Sequence, residues 1–262
     1  MNKWGYAEHN GPELWHEWFP IANGERQSPI DIAAQDADYD PTLQPLHIDY
    51  DAHSARVIIN SGHTFSVEFD DGDDKSVVTG GPFNGKYRLR QFHFHWGRSD
   101  DHGSEHRVDG QAYAAELHIV HWNSEKYGSF VEAANQPDGL GVIGVFLKIG
   151  EDNASIERIT DALDAIQTKG KQSSFTKFDP SCLLPDCLDF WTYSGSLTVP
   201  PLLESVIWIV LKKPISVSSR QLSEFRSLLS TSESEETGPC CIKANYRPVQ
   251  PLKNRKVKAS FQ

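Results

Sequence analysis

The stretch QFHFHWG, residues 91–97, decides how the rest of the chain is interpreted. Successive side chains of a β-strand point to opposite faces of the sheet. As a strand, this stretch has one polar face, formed by Gln91, His93 and His95. Its other face is entirely aromatic, with Phe92, Phe94 and Trp96. We therefore predict a strand whose aromatic face lies in a core and whose polar face lines a cavity.

A second stretch, AAELHIVHW at residues 114–122, can add a third histidine to the polar face that carries His93 and His95. Here Glu116, His118 and Val120 share one strand face. If this strand pairs antiparallel with the first, through the polar connection 97–110, His118 stands opposite the two histidines. A His-x-His pair alone is weak evidence for a metal. Three imidazoles and one open position, however, form the pattern of catalytic zinc, whereas structural zinc sites have four protein ligands.

Two further polar side chains lie on these faces. Gln91 and Glu116 come two residues before His93 and His118. Metal-bound histidines usually donate their second ring N–H to such a group, which sets the tautomer and the ring orientation. We interpret both as partners of the zinc ligands; the alternative is that they are polar residues facing solvent.

The remaining periodicities predict a predominantly β fold of the α+β class. We expect one domain, 1–262, built on a large, mostly antiparallel twisted sheet with peripheral helices. Alternating or apolar runs between turn signals predict strands at 56–60, 64–69, 76–79, 87–96, 113–122, 140–149 and 205–212. Helical spacing predicts helices through 156–166 and 222–229, the second with a capping box at Ser218 and Gln221, and a short helix at 12–19.

Composition is that of a soluble globular protein. The 262 residues are 38% hydrophobic and 23% charged. A formal net charge of −11 argues against nucleic-acid and anionic-membrane partners. The N-terminal residues lack the apolar segment of a secretory signal, and no run has the roughly 18 apolar residues of a membrane span. We predict free thiols in a reducing, cytoplasmic compartment for the four cysteines, Cys182, Cys187, Cys240 and Cys241.

Several long motifs, in order along nearly the whole chain, resemble the animal-type (α) carbonic anhydrases. They are FHFHWG at 92–97, GSEH at 103–106, ELHIVHW at 116–122 and SLTVPP at 196–201, together with QSPI at 27–30. The likeness is strongest to the cytosolic vertebrate branch. Secreted members typically carry a disulfide between the regions around QSPI and after the Pro-Pro pair, and neither region has a cysteine here.

The resemblance implies reversible hydration of carbon dioxide to bicarbonate and a proton, by zinc-hydroxide attack followed by His-mediated proton transfer. It implies zinc ligated by His93, His95 and His118, with Thr198 as gatekeeper and Glu105 as its hydrogen-bond partner. An apolar substrate pocket would be formed by Val120, Val142, Leu197, Val199, Val206 and Trp208. Sulfonamides and anions are the expected inhibitors, and a monomer is expected.

The resemblance also assigns the proton path. His63 occupies the shuttle position, and Tyr6 corresponds to a polar residue lining the water chain. Histidine suits a shuttle because its unperturbed pKa lies near neutrality. Val199 is a departure, since several relatives have threonine or histidine there, and it removes one hydrogen-bonding group. Cys240 and Cys241 lie in a segment with no recognised counterpart.

Two other function classes are weighed against this interpretation. A catalytically silent binding module would have lost a zinc histidine, but all three positions are intact. A cupin-like oxygenase also uses His-x-His on β-strands, and expects a glutamate four or five residues after the second histidine. Ser99 and Asp100 occupy those positions.

Overall fold

The computed structural model describes residues 3–262. Met1 and Asn2, the start of the segment used to argue against a secretory signal, lie outside this range. Within it there are fifteen β-strands: β1 Asp31–Ile32, β2 Asp38–Tyr39, β3 Gln44–Asp49, β4 Ala55–Asn60, β5 Phe65–Phe69, β6 Val77–Gly81, β7 Tyr87–Trp96, β8 Arg107–Val108, β9 Ala115–Asn123, β10 Leu140–Ile149, β11 Gln172–Ser174, β12 Phe190–Gly195, β13 Val206–Leu211, β14 Ile215–Val217 and β15 Lys258–Ala259.

Helices are short and few. The described residues contain three α-helices, α1 Phe130–Ala134, α2 Ala154–Thr160 and α3 Ser219–Phe225. Five 3₁₀ helices accompany them: Pro12–Glu17, Pro20–Asn23, Ala34–Asp36, Leu163–Ile166 and Pro180–Leu183. Between residues 3 and 262, none of the helices has the length and apolar character needed to cross a membrane.

Thirteen strands form one large sheet, which confirms the predicted fold class. Its order is β11-β4-β5-β7-β9-β10-β13-β12-β15-β2; β6 also pairs with β7, β3 with β6, and β14 with β10. Pairing is antiparallel except between β10 and β13, β10 and β14, and β15 and β2. β7 and β9 therefore lie at the centre, where neighbouring strands hold both edges.

The two predicted site strands pair as expected. β7 has the predicted bounds, and β9 begins two residues later than predicted and ends one residue later. They are antiparallel, and His93 lies directly opposite His118. A one-residue shift of this register would send every side chain of one strand to the other face. The aromatic face fixes the register, because Phe92, Phe94 and Trp96 are all fully buried in the core.

The sheet separates two apolar clusters. The larger packs the aromatic face of β7 against α2 and α3, through side chains such as Ile156, Leu222 and Phe225. The smaller lies on the other side and includes Val120 of β9 and Trp208 of β13. Burying each large side chain contributes about 1.5–3 kcal/mol, so the strand that carries two histidines is held rigidly from behind.

The predicted helix through 156–166 is wrong as a continuous element. The α-helix ends at Thr160, and a separate 3₁₀ turn begins at Leu163. The helix and the 3₁₀ turn follow one another and together keep the predicted apolar residues on the buried side. These are Ile156, Ile159, Leu163 and Ile166.

The other two helix predictions are partly right. The segment at 12–19 is a 3₁₀ helix ending at Glu17. The helix predicted through 222–229 ends at Phe225, so Leu228 and Leu229 follow it. The capping box at its start is confirmed: the Ser218 side chain accepts from the Gln221 backbone N–H, and the Gln221 side chain accepts from the Ser218 N–H.

Candidate metal centre

The three predicted ligand histidines come together on one face of the central strands. His93 and His95 project from β7, and His118 projects from β9. Each can offer one ring nitrogen such that all three atoms lie within 4.8 Å of one another. The Nε2 atoms of His93 and His95 are 3.2 Å apart. Two nitrogens bound tetrahedrally to one zinc at about 2.0–2.1 Å would be about 3.3 Å apart, so the spacing fits this metal.

The second ring nitrogen of each histidine has its own acceptor. His93 Nδ1 donates to Gln91 Oε1 at 2.9 Å, and His118 Nε2 donates to Glu116 Oε2 at 2.5 Å. His95 Nδ1 donates to the main-chain oxygen of Asn245 at 2.8 Å. These bonds assign the tautomers: the lone pairs lie on His93 Nε2, His95 Nε2 and His118 Nδ1, the atoms that can face a metal.

Burial keeps the three imidazoles neutral. It is the main cause of the lowered pKa of each ring, and it takes the pKa of His95 to about 3. Neighbouring histidines add to the shift at His93 and His95, whereas Glu116 opposes it at His118. At neutral pH no proton has to be displaced for these rings to bind a cation.

Glu116 is the hub of a second buried network. Its Oε1 accepts from the backbone N–H groups of Glu105 (3.0 Å) and His106 (2.8 Å), and its Oε2 accepts from His106 Nδ1 at 2.8 Å as well as from His118. Burial opposes its ionisation, but His106 and His118 outweigh burial and hold the pKa of Glu116 well below its usual range.

His106, Glu116 and His118 also lie close enough together to be considered as a metal site. The hydrogen bonds argue against it. His106 Nδ1 is bonded to Glu116, and its Nε2 lies 2.5 Å from the Tyr193 hydroxyl, so both of its ring nitrogens are engaged. This cluster orients His118 and leaves His93, His95 and His118 as the candidate metal centre.

Glu105 carries the polar atom that most needs a partner. Its Oε2 accepts from the Arg247 backbone N–H at 2.8 Å. Its Oε1 is buried and, among residues 3–262, has no hydrogen-bond partner, although it lies 3.2 Å from His95 Nε2. Burial and then Glu116 raise the pKa of Glu105 well above its usual range, while Arg247 and the Thr198 side chain lower it. An unpaired carboxylate oxygen beside three lone pairs is a setting that favours a bound cation.

Apolar side chains wall the same face of the sheet. Five of the six predicted pocket residues belong to one cluster: Val120, Val142, Val206 and Trp208 are buried, and Leu197 packs against them. The Trp208 ring centroid lies 4.8 Å from that of His118. Val199 is half-buried in the loop after β12, outside this cluster as far as the described residues go.

His63 lies in a position that does not suit proton transfer as it stands. Its ring stacks on Trp4, with centroids 3.7 Å apart and planes 12° from parallel. Burial, and then the charge of Lys169, lower the pKa of His63 to about 4. The sequence interpretation expected a pKa near neutrality, which this environment does not provide.

Tyr6 contacts the same aromatic group. Its ring makes an edge contact with Trp4 at 5.9 Å. Burial, and then Glu105, raise the pKa of Tyr6 well above 10, so its hydroxyl keeps its proton.

Comparison with known proteins decides the family. The family model for eukaryotic-type carbonic anhydrase matches residues 10–261. The chain belongs to the eukaryotic-type carbonic anhydrase family. Among its relatives, Carbonic anhydrase 3 of Homo sapiens is 57% identical over 260 residues, with 99% of each chain covered. The proteins of the same name from Mus musculus and Rattus norvegicus are 56% and 55% identical, with the same coverage. As a carbonic anhydrase, the protein is an enzyme.

Three residues of this carbonic anhydrase that shape the candidate site were not predicted from its sequence. Asn245 orients His95 from 150 positions away, and no local pattern links them. His106 lies within a recognised motif, yet its bond to Glu116 was not anticipated. Gly144 faces His118 from β10, where an added Cβ would lie 3.3 Å from Glu116 Oε2. A glycine inside an apolar strand was the one available signal for such a close approach.

Proposed function

We propose that this carbonic anhydrase catalyses the reversible hydration of carbon dioxide to bicarbonate and a proton, with zinc held by His93, His95 and His118. The observation that carries the proposal is the convergence of three neutral imidazole nitrogens on one point, each with its second ring nitrogen fixed by an acceptor. Family membership supports the same reaction.

The choice of neutral ligands matters for this chemistry. Bound zinc lowers the pKa of its water from about 15.7 to about 7, an effect for which carbonic anhydrases are the reference case. Each anionic ligand would cancel part of the metal charge and leave that water less acidic. Glu116, whose pKa is held low, supplies negative charge one hydrogen bond beyond His118, where it orients the site and offsets the cation.

Thr198 and Glu105 would orient the oxygen that reacts. Oε1 of Glu105, which has no hydrogen-bond partner among residues 3–262, would accept the Thr198 hydroxyl proton, and the Thr198 side chain already lowers the pKa of Glu105. A hydroxyl that donates to a carboxylate can only accept on its other side. Thr198 would then select groups that carry a proton to donate, and would turn a lone pair of the donor towards the substrate.

The apolar wall would hold the substrate. Carbon dioxide has no net dipole and gains little from polar contacts, so a surface of buried valines beside Trp208 suits it. Bicarbonate is charged and is poorly accommodated by the same surface, which favours its release. Val199 would adjoin this wall and contribute no hydrogen bond.

Proton release is the slow step that the residues must address. A group with a pKa near 7 loses its proton to water at no more than roughly 10²–10³ s⁻¹, because reprotonation cannot exceed the diffusional limit. We propose His63 as the internal shuttle and Tyr6 as a neutral hydroxyl along the path. Since His63 is half-buried and stacked on Trp4, transfer would require its ring to turn away from Trp4 to a more solvated position, where its pKa is nearer neutrality.

We also propose a cytoplasmic monomer. All four cysteines are exposed and unpaired, as expected in a reducing compartment. Sulfonamides and small anions would inhibit by competing for the open metal position, and the net charge of −11 disfavours nucleic-acid and anionic-membrane partners.

The test is zinc analysis of the purified protein together with stopped-flow carbon dioxide hydration. We expect one zinc per chain and activity that a chelator abolishes. His118→Ala should lose both zinc and activity, whereas His53→Ala, which removes an exposed histidine, should lose neither. Stoichiometric zinc without hydration activity would refute the proposed reaction.

The shuttle is tested separately. His63→Ala should lower turnover in dilute buffer, leave kcat/KM within about twofold, and recover when imidazole is added. If imidazole does not restore turnover, His63 is not the shuttle.

A further inference from the structure

The side chain of Asn245 joins two parts of the site that are distant in sequence. Asn245 is fully buried. Its Oδ1 accepts from the Trp96 backbone N–H at 2.7 Å, at the end of the strand that carries His93 and His95. Its Nδ2 donates to the His63 main-chain oxygen at 2.9 Å. One amide group therefore connects the ligand strand to the residue proposed as the shuttle.

The main chain of Asn245 makes separate hydrogen bonds, to Trp96 and to His95. Its N–H donates to the Trp96 carbonyl at 3.0 Å, and its own carbonyl accepts from His95 Nδ1. These bonds do not involve the side chain, so a substitution at Asn245 leaves their chemical groups in place. The orientation of the ligand His95 and the position of His63 can thus be separated by experiment.

The turn that carries His63 leads into β5, which pairs with the ligand strand β7 from Ser66 onward. This turn joins β4 to β5, and Gly62 adopts a positive φ of 89° there. Thr64 Oγ1 donates to the Phe94 carbonyl at 2.7 Å, on the C-terminal side of His63. Asn245 Nδ2 holds the carbonyl of His63 itself. Besides the pairing of β5 with β7, these two bonds hold residues 63 and 64 of the turn against the ligand strand, one directly at Phe94 and one through Asn245 at Trp96.

We propose that Asn245 is a positioning residue for proton transfer: its side-chain amide holds the His63 backbone at a set distance from the metal ligands. The inference rests on the proposed role of His63 as the shuttle. Proton transfer depends steeply on the separation of donor and acceptor, and a displacement of about 1 Å in a positioned group can cost as much as about 100-fold. The amide acts through His63 and touches neither substrate nor metal.

Two substitutions separate the bonds of this amide. Asn245→Asp keeps an acceptor for Trp96 N–H and, at a pH where the new carboxyl is ionised, loses the donor to His63. Asn245→Ala loses both. In the zinc-loaded enzyme we expect both variants to lower turnover in dilute buffer by about five- to tenfold, while kcat/KM stays within about twofold and added imidazole restores turnover. Asn135→Ala is the control, since it removes an amide-to-carbonyl bond of 2.8 Å at the exposed C-terminal end of α1.

The outcomes are distinct. At a pH where the new carboxyl is ionised, loss of turnover in Asn245→Ala alone would assign the effect to the Trp96 bond and overturn the proposal. A parallel fall in kcat/KM or in zinc content would also overturn it. If one variant does not fold, the other still tests the proposal. It should lower kcat without lowering kcat/KM, and imidazole should restore its turnover.

A double variant distinguishes this inference from the proposed function. In a His63→Ala background, Asn245→Asp should cause no further loss of turnover, because the residue through which it acts is absent. An additional loss would overturn the proposal. If His63→Ala itself is without effect, the shuttle assignment fails; if His63→Ala is impaired and both Asn245 variants are normal, only the positioning role fails.

Discussion

Replacing Glu116 by glutamine tests how the buried carboxylate prepares the metal centre. Four N–H groups point at its two oxygens: two from the backbone at Oε1, and His106 and His118 at Oε2. A glutamine amide has one oxygen and one nitrogen, so one pair of donors loses its acceptor. If the backbone pair loses its acceptor, the protein is destabilised. If the imidazole pair loses its acceptor, zinc binding is weakened.

The imidazoles can adapt and the backbone cannot. If the new NH₂ group faced the N–H groups of Glu105 and His106, two buried donors would be unsatisfied, at about 1–3 kcal/mol each. If it faces the rings, His118 can accept at Nε2 by moving its proton to Nδ1. The second arrangement costs less for folding, but it puts a proton on the nitrogen that would bind zinc.

We therefore expect Glu116→Gln to fold and to bind zinc about 10- to 100-fold more weakly, which corresponds to about 1.4–2.8 kcal/mol. Equilibrium competition with a chelator measures the zinc Kd, and urea unfolding of the metal-free protein measures folding. Glu17→Gln, at an exposed acid, is the control. A zinc Kd within twofold of the unsubstituted protein, with or without a loss of folding stability, would refute this reasoning.

Two further predictions concern stability. Burial lowers the pKa of His121 to about 4, so between pH 4 and about 6.5 the unfolded chain binds a proton at this residue that the folded chain does not. The free energy of unfolding should rise with pH across that window, by up to about 1.4 kcal/mol per unit. Urea titrations from pH 4.5 to 6.5 should show a shallower rise for His121→Gln; equal slopes would contradict the assignment. Gly195→Ala would place its Cβ 2.1 Å from Ser28 Oγ and 2.7 Å from Trp208, and should cost about 1–3 kcal/mol or more in chemical denaturation. Gly150→Ala, whose Cβ would make an ordinary contact at 3.5 Å, should cost less, and an equal loss in both would show that packing at Gly195 is not the cause.

Much of the candidate metal centre could be predicted from the local sequence pattern. A strand alternates faces every residue whatever surrounds it, so the grouping of His93 with His95, and of Glu116 with His118, followed directly from the sequence. The aromatic face of residues 92–96 predicted which side is buried, and the structure confirms it. The one assumption needed was the antiparallel pairing of β7 and β9, and the pairing puts His93 opposite His118.

Helix lengths were less predictable. The apolar spacing at 156–166 identified the buried face correctly but not the break after Thr160. An i, i+3 repeat fits an α-helical turn and a 3₁₀ turn equally well, so periodicity alone does not distinguish them. Packing of short turns against the sheet made the choice.

By itself, the sequence determined which side chains share a face, the three imidazoles and the family, because these depend on residue order and local geometry. Only the tertiary structure decided the rest of the site. Asn245 reaches His95 and His63 across 150 and 182 positions, Arg247 reaches Glu105 across 142, and Trp4 covers His63. Such contacts, and the burial that lowers the pKa of His63 to about 4, arise from the folding of distant segments onto one another, which no local periodicity records.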